Sequence, residues 1–251
     1  MRRPQIPARP HGGCAKLVLA RSSGKGGATS RVLNRFRASW SWLTFISLPG
    51  GAACERCLVA VDNEVQLDRL ARSFAAVGEL IDAIGPDQWS APTPCLDWTV
   101  HRLVEHLVGK NLVFAAVLAG QPLPQRGDGM PSGQLARSYR ESADVLVDAF
   151  GQPGVLDRVY QGPLGAATGA ERLKIRMYDL LAHGWDLAQA LERPARLPED
   201  AAEASLAFAR ADGRAVRPGG GCFGPERPVA DTAPATLRLV AFLGRDVPAA
   251  W

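Results

Sequence analysis

The sequence is poor in the features that mark disulfide-bonded, membrane-spanning and β-sheet proteins. Five cysteines among 251 residues are too few, and odd in number, for a disulfide framework, so we expect a reducing, cytoplasmic location. No apolar run is long enough for a transmembrane helix, and we expect no membrane partner. Alternating apolar and polar runs of the kind that form half-buried strands are not present at useful length. The lack of alternating runs favours a helical fold.

Acidic residues are scarce in the first 58 positions. That stretch holds ten of the 29 Lys and Arg residues but only one of the 25 Asp and Glu residues. Residues 59–251 therefore carry a net charge of −5, which gives no support to nucleic-acid binding. The basic stretch mixes Arg, Pro, Gly and Ser without a period, so we predict a disordered leader over residues 1–58 and one helical domain over residues 59–251.

Apolar residues recur at spacings of three and four in several stretches of this domain, and glycines or prolines separate the stretches. Four long helices are predicted, over residues 62–84, 99–119, 132–150 and 171–192. Asn63 and Gln66 resemble a capping box at the start of the first helix, and either Asp97 or Thr99 is a suitable N-cap for the second helix. Two shorter helices are predicted over 198–212 and 234–243. The fold expected from this pattern is all-α, a four-helix bundle with two short C-terminal helices.

The fourth predicted helix carries a carboxylate and an imidazole at one-turn spacing. Asp179 and His183 are four residues apart, so their side chains lie one above the other at the margin of the apolar face. One interpretation is an intrahelical Asp–His pair, and the other is two ligands of a metal site. The spacing leaves both open, and a metal site requires a third donor from another helix.

The sequence contains four histidines, and the three besides His183 are the candidates for that donor. His11 lies in the predicted leader and His101 in the first turn of the second helix, whereas His106 lies near the middle of that helix. His106, Asp179 and His183 would supply two nitrogens and one oxygen. Three protein donors and an open position are typical of catalytic zinc, which lowers the pKa of a bound water or thiol.

Three segments resemble motifs of a known family. They are WSAPTPCLDWTVHRLVEHLVG at residues 89–109, DLLAHGWDLA at 179–188, and the pair FGP at 223–225 with AFLGRD at 241–246. Together they resemble the DinB-like, mycothiol-dependent maleylpyruvate isomerase family of actinobacteria, in a subfamily whose substrate is undefined. The resemblance covers roughly residues 62–251.

This resemblance implies a four-helix bundle that holds a divalent metal, usually zinc, through His106, Asp179 and His183. It also implies a low-molecular-weight thiol, such as mycothiol, whose metal-bound thiolate attacks an electrophilic substrate. We therefore expect a metal-dependent thiol transferase or isomerase. The isomerase proper has a further C-terminal domain with a substrate-binding Arg, which short helices replace here, so maleylpyruvate itself does not follow as the substrate.

Two other classes of function stay open at this point. One is a hydrolase that uses a metal-bound water without a thiol, and the other is a non-catalytic metal-binding bundle. The sequence also leaves open whether the bundle pairs with itself as a homodimer.

Residues next to the predicted ligands have competing interpretations. Arg176 could bind a carboxylate of the cofactor or substrate, or pair with Asp179, and pairing is favoured. Asp186 could orient His183 or be a solvated acid. Cys95 is interpreted as a buried thiol before a nucleophile.

Two further residues are interpreted structurally. Trp98 is assigned mainly to packing. Glu105 is assigned to the surface.

Overall fold

The computed structural model describes residues 55–95, 97–124, 129–163, 165–213 and 223–247. The predicted leader lies outside these residues, apart from its last four positions. Within the described ranges, no helix combines the length and apolar character needed to cross a bilayer.

Six helices confirm the predicted all-α class. Their bounds are α1 Glu55–Asp82, α2 Val100–Ala119, α3 Ser132–Phe150, α4 Gly169–Ala190, α5 Glu199–Asp212 and α6 Ala235–Phe242. A short 3₁₀ turn lies at Pro86–Gln88, and β1 Val159–Tyr160 pairs antiparallel with β2 Ala167–Thr168 just before α4.

The four long helices form the predicted bundle. Helix α2 packs against α3 and α4, and α1 packs against α3 and α4. Helices α5 and α6 pack on each other and on α4, so α4 is covered on several sides. Burial of large apolar side chains stabilises this arrangement by about 1.5–3 kcal/mol each. Fully buried members of the core include Leu70, Val77, Leu103, Leu107, Leu146, Met177 and Leu180.

Local signals define the two helices that carry the predicted site. Of the two predicted N-cap candidates for α2, Thr99 is the N-cap, and its side chain accepts a hydrogen bond from the backbone N–H of Arg102. Gly120 ends α2 in the left-handed conformation that favours glycine. Helix α4 begins with a capping box, in which Thr168 and Glu171 satisfy each other's backbone N–H groups.

The start of α1 differs from the prediction. The helix begins at Glu55, so the predicted start near residue 62 and the domain boundary at residue 59 both fall inside it. The apparent capping box is also inside, where the Gln66 amide donates to Asp62 Oδ1 at 3.4 Å. No Gly or Pro lies between residues 55 and 77, so nothing in this stretch interrupts the helix near the predicted start.

Helices α1 and α4 approach closely at Gly184, the residue after His183. A Cβ at this position would lie 2.7 Å from Val77 Cγ2 and 3.2 Å from Leu197 Cδ2. Glycine therefore permits the contact that holds this part of α4 against α1.

We predict that Gly184→Ala lowers the free energy of unfolding by about 1–3 kcal/mol, because the methyl group overpacks this contact. Gly109→Ala in α2 is the matched control, since a Cβ there meets nothing within 4 Å. Alanine in this helix interior should be neutral or stabilising by up to about 1 kcal/mol. Urea unfolding measures both variants, and equal stabilities would contradict the close approach.

Candidate metal centre

The packing of α2 against α4 brings the three predicted donors together. Asp179 Oδ1 lies 3.7 Å from His106 Nε2 and 3.7 Å from His183 Nε2. All three donor atoms lie within 4.8 Å of one another, and the two imidazole centroids are 4.9 Å apart. Donors from two helices therefore converge on one point, as a metal site in a helical bundle requires.

The three side chains differ in exposure. The side chain of His183 is 1% exposed, whereas those of His106 and Asp179 are 16% and 14% exposed. The Nε2 atoms of both histidines are buried.

A buried arginine holds the second oxygen of Asp179. Arg176, which is fully buried, donates from Nη1 to Asp179 Oδ2 at 2.9 Å. Its Nε and Nη2 atoms donate to Asn111 Oδ1 at 2.9 and 2.7 Å. The Asn111 amide in turn donates to Ser142 Oγ, and Ser142 to the carbonyl of Tyr139. This chain leaves Asp179 Oδ1 facing the two histidines.

The electrostatics of the cluster favour the protonation states of metal ligands. Burial alone would raise the pKa of Asp179, but His106, His183 and Arg176 hold it well below its usual range. Burial lowers the pKa of His106, against the opposite effect of Asp179. At neutral pH this pairs an ionised carboxylate with a neutral imidazole, which are the forms that bind metals.

Asp186 orients His183. His183 Nδ1 lies 3.0 Å from Asp186 Oδ2, and Arg245 donates to both oxygens of the same carboxylate at 3.0 and 2.6 Å. Burial would raise the pKa of Asp186, but His183 and Arg245 lower it below the usual value. An ionised carboxylate only accepts hydrogen bonds, so His183 Nδ1 donates in this contact, and Nε2 is left facing Asp179 Oδ1 at 3.7 Å. Asp186 is buried, and its interpretation as a solvated acid is wrong.

Aromatic rings fix the imidazole planes. Trp98 lies over both histidines, with centroid distances of 4.6 Å to His106 and 5.7 Å to His183. Phe223 stacks on His183 at 5.8 Å. Thr93 helps to hold the loop before α2, because its hydroxyl lies 3.0 Å from the Trp98 carbonyl. Trp98 thus forms a wall of the cluster as well as packing.

The donor set fits a divalent cation. His106 Nε2 is buried and has no hydrogen-bond partner within the part of the chain that the structure describes. Tetrahedral zinc, with bonds of about 2.0–2.2 Å to nitrogen and oxygen, separates its ligands by about 3.3 Å. Two of the three separations, those from Asp179 Oδ1 to the two nitrogens, are 3.7 Å and close to this value, and the third is within 4.8 Å. A cation would satisfy the orphaned nitrogen and balance the carboxylate.

A second group of potential donors is less suitable. Cys95, His183 and Asp186 place donor atoms within 4.8 Å of one another, but all three residues are buried. The oxygens of Asp186 already accept hydrogen bonds from Arg245. The expectation that Cys95 is a buried thiol is confirmed.

Two polar residues of α2 have roles that the sequence did not indicate. The side chain of Glu105 is only 9% exposed and accepts hydrogen bonds from the backbone N–H groups of Gly129 and Met130, so its assignment to the surface is wrong. His101 Nε2 lies 2.8 Å from the Met130 carbonyl. Both residues hold the loop between α2 and α3, away from the metal cluster.

The fold and the cluster together define a candidate metal-binding four-helix bundle of the DinB-like type. The chain belongs to the family of the mycothiol maleylpyruvate isomerase N-terminal domain, whose model matches residues 70–188. This confirms the family predicted from the sequence.

Two relatives of this chain come from Mycobacterium tuberculosis. They are the uncharacterized protein MT0763 of strain CDC 1551 / Oshkosh and the uncharacterized protein Rv0738 of strain ATCC 25618 / H37Rv. Each is 35% identical over 179 residues, which is 70% of this chain and 95% of the relative. No solved structure matches the chain significantly.

Proposed function

We propose that this protein is a divalent-metal-dependent enzyme that acts on a low-molecular-weight thiol, with mycothiol as the candidate. The metal, with zinc as the first candidate, is held by His106, Asp179 and His183. The reaction class is thiol transfer to an electrophile or isomerisation through a thiol adduct. The family membership supports the thiol, and the donor cluster supports the metal.

The observation that carries this proposal is the convergence of His106, Asp179 and His183, whose donor atoms lie within 4.8 Å of one another. A structural zinc site is normally closed by four protein ligands, whereas three ligands leave a position for a reactant. A bound zinc ion would lower the pKa of a thiol in that position. No fourth His, Cys, Asp or Glu joins this group within the described ranges.

The chain's own residues prepare the site for this role. Arg176 holds Asp179 in place through Oδ2, and Asp186 holds the ring of His183 through Nδ1. Trp98 stacks on the His183 ring and packs at a tilt against the His106 ring. The full burial of Arg176 and its bonds to Asp179 and Asn111 support the pairing role, while binding of a cofactor by Arg176 remains a prediction.

Thiol binding can be tested by thermal unfolding of the zinc-loaded protein with and without mycothiol. At about 100 times the dissociation constant a ligand stabilises by about 2.7 kcal/mol, which corresponds to a rise in Tm of about 5–10 °C for a domain of this size. We expect this rise with mycothiol but not with S-methyl mycothiol, because the thioether cannot become a thiolate.

The metal-free protein and His106→Ala serve as controls and should show no thiol-dependent rise. Equal Tm values with and without mycothiol in the zinc-loaded protein would contradict the proposal. Turnover of an ester or amide without a thiol would indicate a hydrolase instead, and zinc binding without either response would indicate a non-catalytic bundle.

A further inference from the structure

We infer that the C-terminal segment, residues 223–247, is part of the metal centre, and that its Arg245 and Phe223 are positioning residues for His183. This inference rests on the proposed metal site. Both residues lie beyond residues 70–188, the part of the chain that the family model matches.

Arg245 acts on His183 through Asp186. Its guanidinium is buried and donates to both carboxylate oxygens, from Nε at 3.0 Å and from Nη2 at 2.6 Å. This paired contact holds the plane of the buried carboxylate. The carboxylate then accepts a hydrogen bond from His183 Nδ1, which directs Nε2 into the cluster.

Phe223 acts on His183 through its ring. The imidazole lies between Trp98, at 5.7 Å and an interplanar angle of 23°, and Phe223, at 5.8 Å and 21°. The Arg245 guanidinium lies over the Phe223 ring at 5.1 Å. Phe223 and Arg245 therefore contact each other. Phe223 orients the ring plane of His183, and Arg245 orients its hydrogen bond to Asp186.

The backbone of the segment is built to bring Phe223 and Arg245 together. Gly224 N–H donates to the Leu243 carbonyl at 3.1 Å. Gly244 has φ 91°, and a Cβ there would lie 2.6 Å from the Gly224 Cα and N atoms. Glycines next to both residues permit this crossing, which no larger side chain at position 244 would allow.

Zinc affinity tests the inference in the full chain, through competition with a chromophoric chelator. We expect Arg245→Met to raise the zinc Kd about 10–100-fold, because partners that orient a ligand histidine typically have effects of this size. Arg245→Lys keeps the charge but loses the paired hydrogen bonds to the carboxylate. Its zinc Kd should lie between those of the parent and of Arg245→Met. Phe223→Leu should weaken binding less than Arg245→Met.

Arg238→Ala is the matched control in the same segment. Arg238 donates to the Ala233 carbonyl and pairs with Glu203, and makes no contact with the cluster. Its removal should leave the zinc Kd within about twofold of the parent while lowering stability slightly. If Arg238→Ala and Arg245→Met weakened zinc binding equally, Arg245 would have only a role in folding.

The tautomer of His183 provides a readout that needs no variant to fold. In a long-range ¹H–¹⁵N spectrum of the zinc-loaded parent, we expect His183 to keep a proton on Nδ1 and to bind the metal through Nε2. The opposite tautomer would overturn the inference, as would an unchanged zinc Kd in a folded Arg245→Met protein. If the parent binds no zinc, or if His106→Ala binds it equally well, the proposed metal site itself fails.

Discussion

Replacement of Arg176 by methionine is expected to lower the free energy of unfolding of the metal-free protein by about 3–5 kcal/mol. Arg176 is fully buried, and its guanidinium donates to Asp179, to Asn111 and to the carbonyl of Leu107. Methionine fills much of the same space but donates no hydrogen bond. The variant therefore leaves a carboxylate and an amide oxygen in the bundle core without their donor. Urea unfolding followed by circular dichroism measures the loss.

Arg137→Met is the control for this change of residue type. The Arg137 side chain is 82% exposed and pairs with Glu141 on the surface of α3. Exposed ion pairs of this kind contribute little to stability. We therefore expect the free energy of unfolding of Arg137→Met to stay within about 0.5 kcal/mol of the parent. A similar small change in Arg176→Met would show that solvent, and not Arg176, satisfies Asp179.

A double variant tests whether Arg176 and Asn111 act as a unit. Arg176→Met with Asn111→Leu removes the donor together with one of its acceptors. We expect the double variant to lose less stability than the two single variants do in sum, because residues in one buried network are coupled by about 0.5–3 kcal/mol.

Replacement of Asp179 by asparagine is expected to weaken zinc binding by more than about 100-fold. The amide keeps the shape of the side chain but removes the only negative charge among the three donors. Mutation of a residue that only positions a metal ligand typically weakens metal binding by about 10–100-fold. Loss of the charged ligand itself should therefore weaken zinc binding by more than this. The measurement is zinc competition with a chelator at neutral pH.

Asp148→Asn is the matched control for Asp179→Asn. Asp148 is exposed on α3 and is not a member of either donor group. Its zinc Kd should equal that of the parent. If both asparagine variants bound zinc like the parent, Asp179 would not be a ligand.

Helix boundaries were predictable where a residue type acts through local backbone chemistry. Thr99 caps α2 because its hydroxyl accepts a backbone N–H, and Gly120 ends it because glycine adopts the left-handed conformation readily. The start of α1 was not predictable in this way. A residue pair that resembled a cap lies inside a helix that simply continues, because nothing in the local sequence breaks it.

The convergence of His106, Asp179 and His183 was predictable in part from spacing and in part from resemblance. The four-residue step from Asp179 to His183 places both on one side of α4, and the position of His106 within α2 brings it to the same level of the bundle. The supporting partners were not predictable. Asn111 lies among the buried apolar residues of α2, where spacing gives no sign of a polar role. Arg245 reaches Asp186 from 59 residues away, which local periodicity does not reveal.

The most direct test of the account is the metal content of the protein purified without chelator, measured by elemental analysis beside His106→Ala. The account predicts about one equivalent of a divalent ion, with zinc as the first candidate, in the parent. It predicts nearly none in the variant, because His106 is the donor that α2 contributes. A parent that holds no divalent ion even after incubation with zinc, or equal content in both proteins, would contradict it.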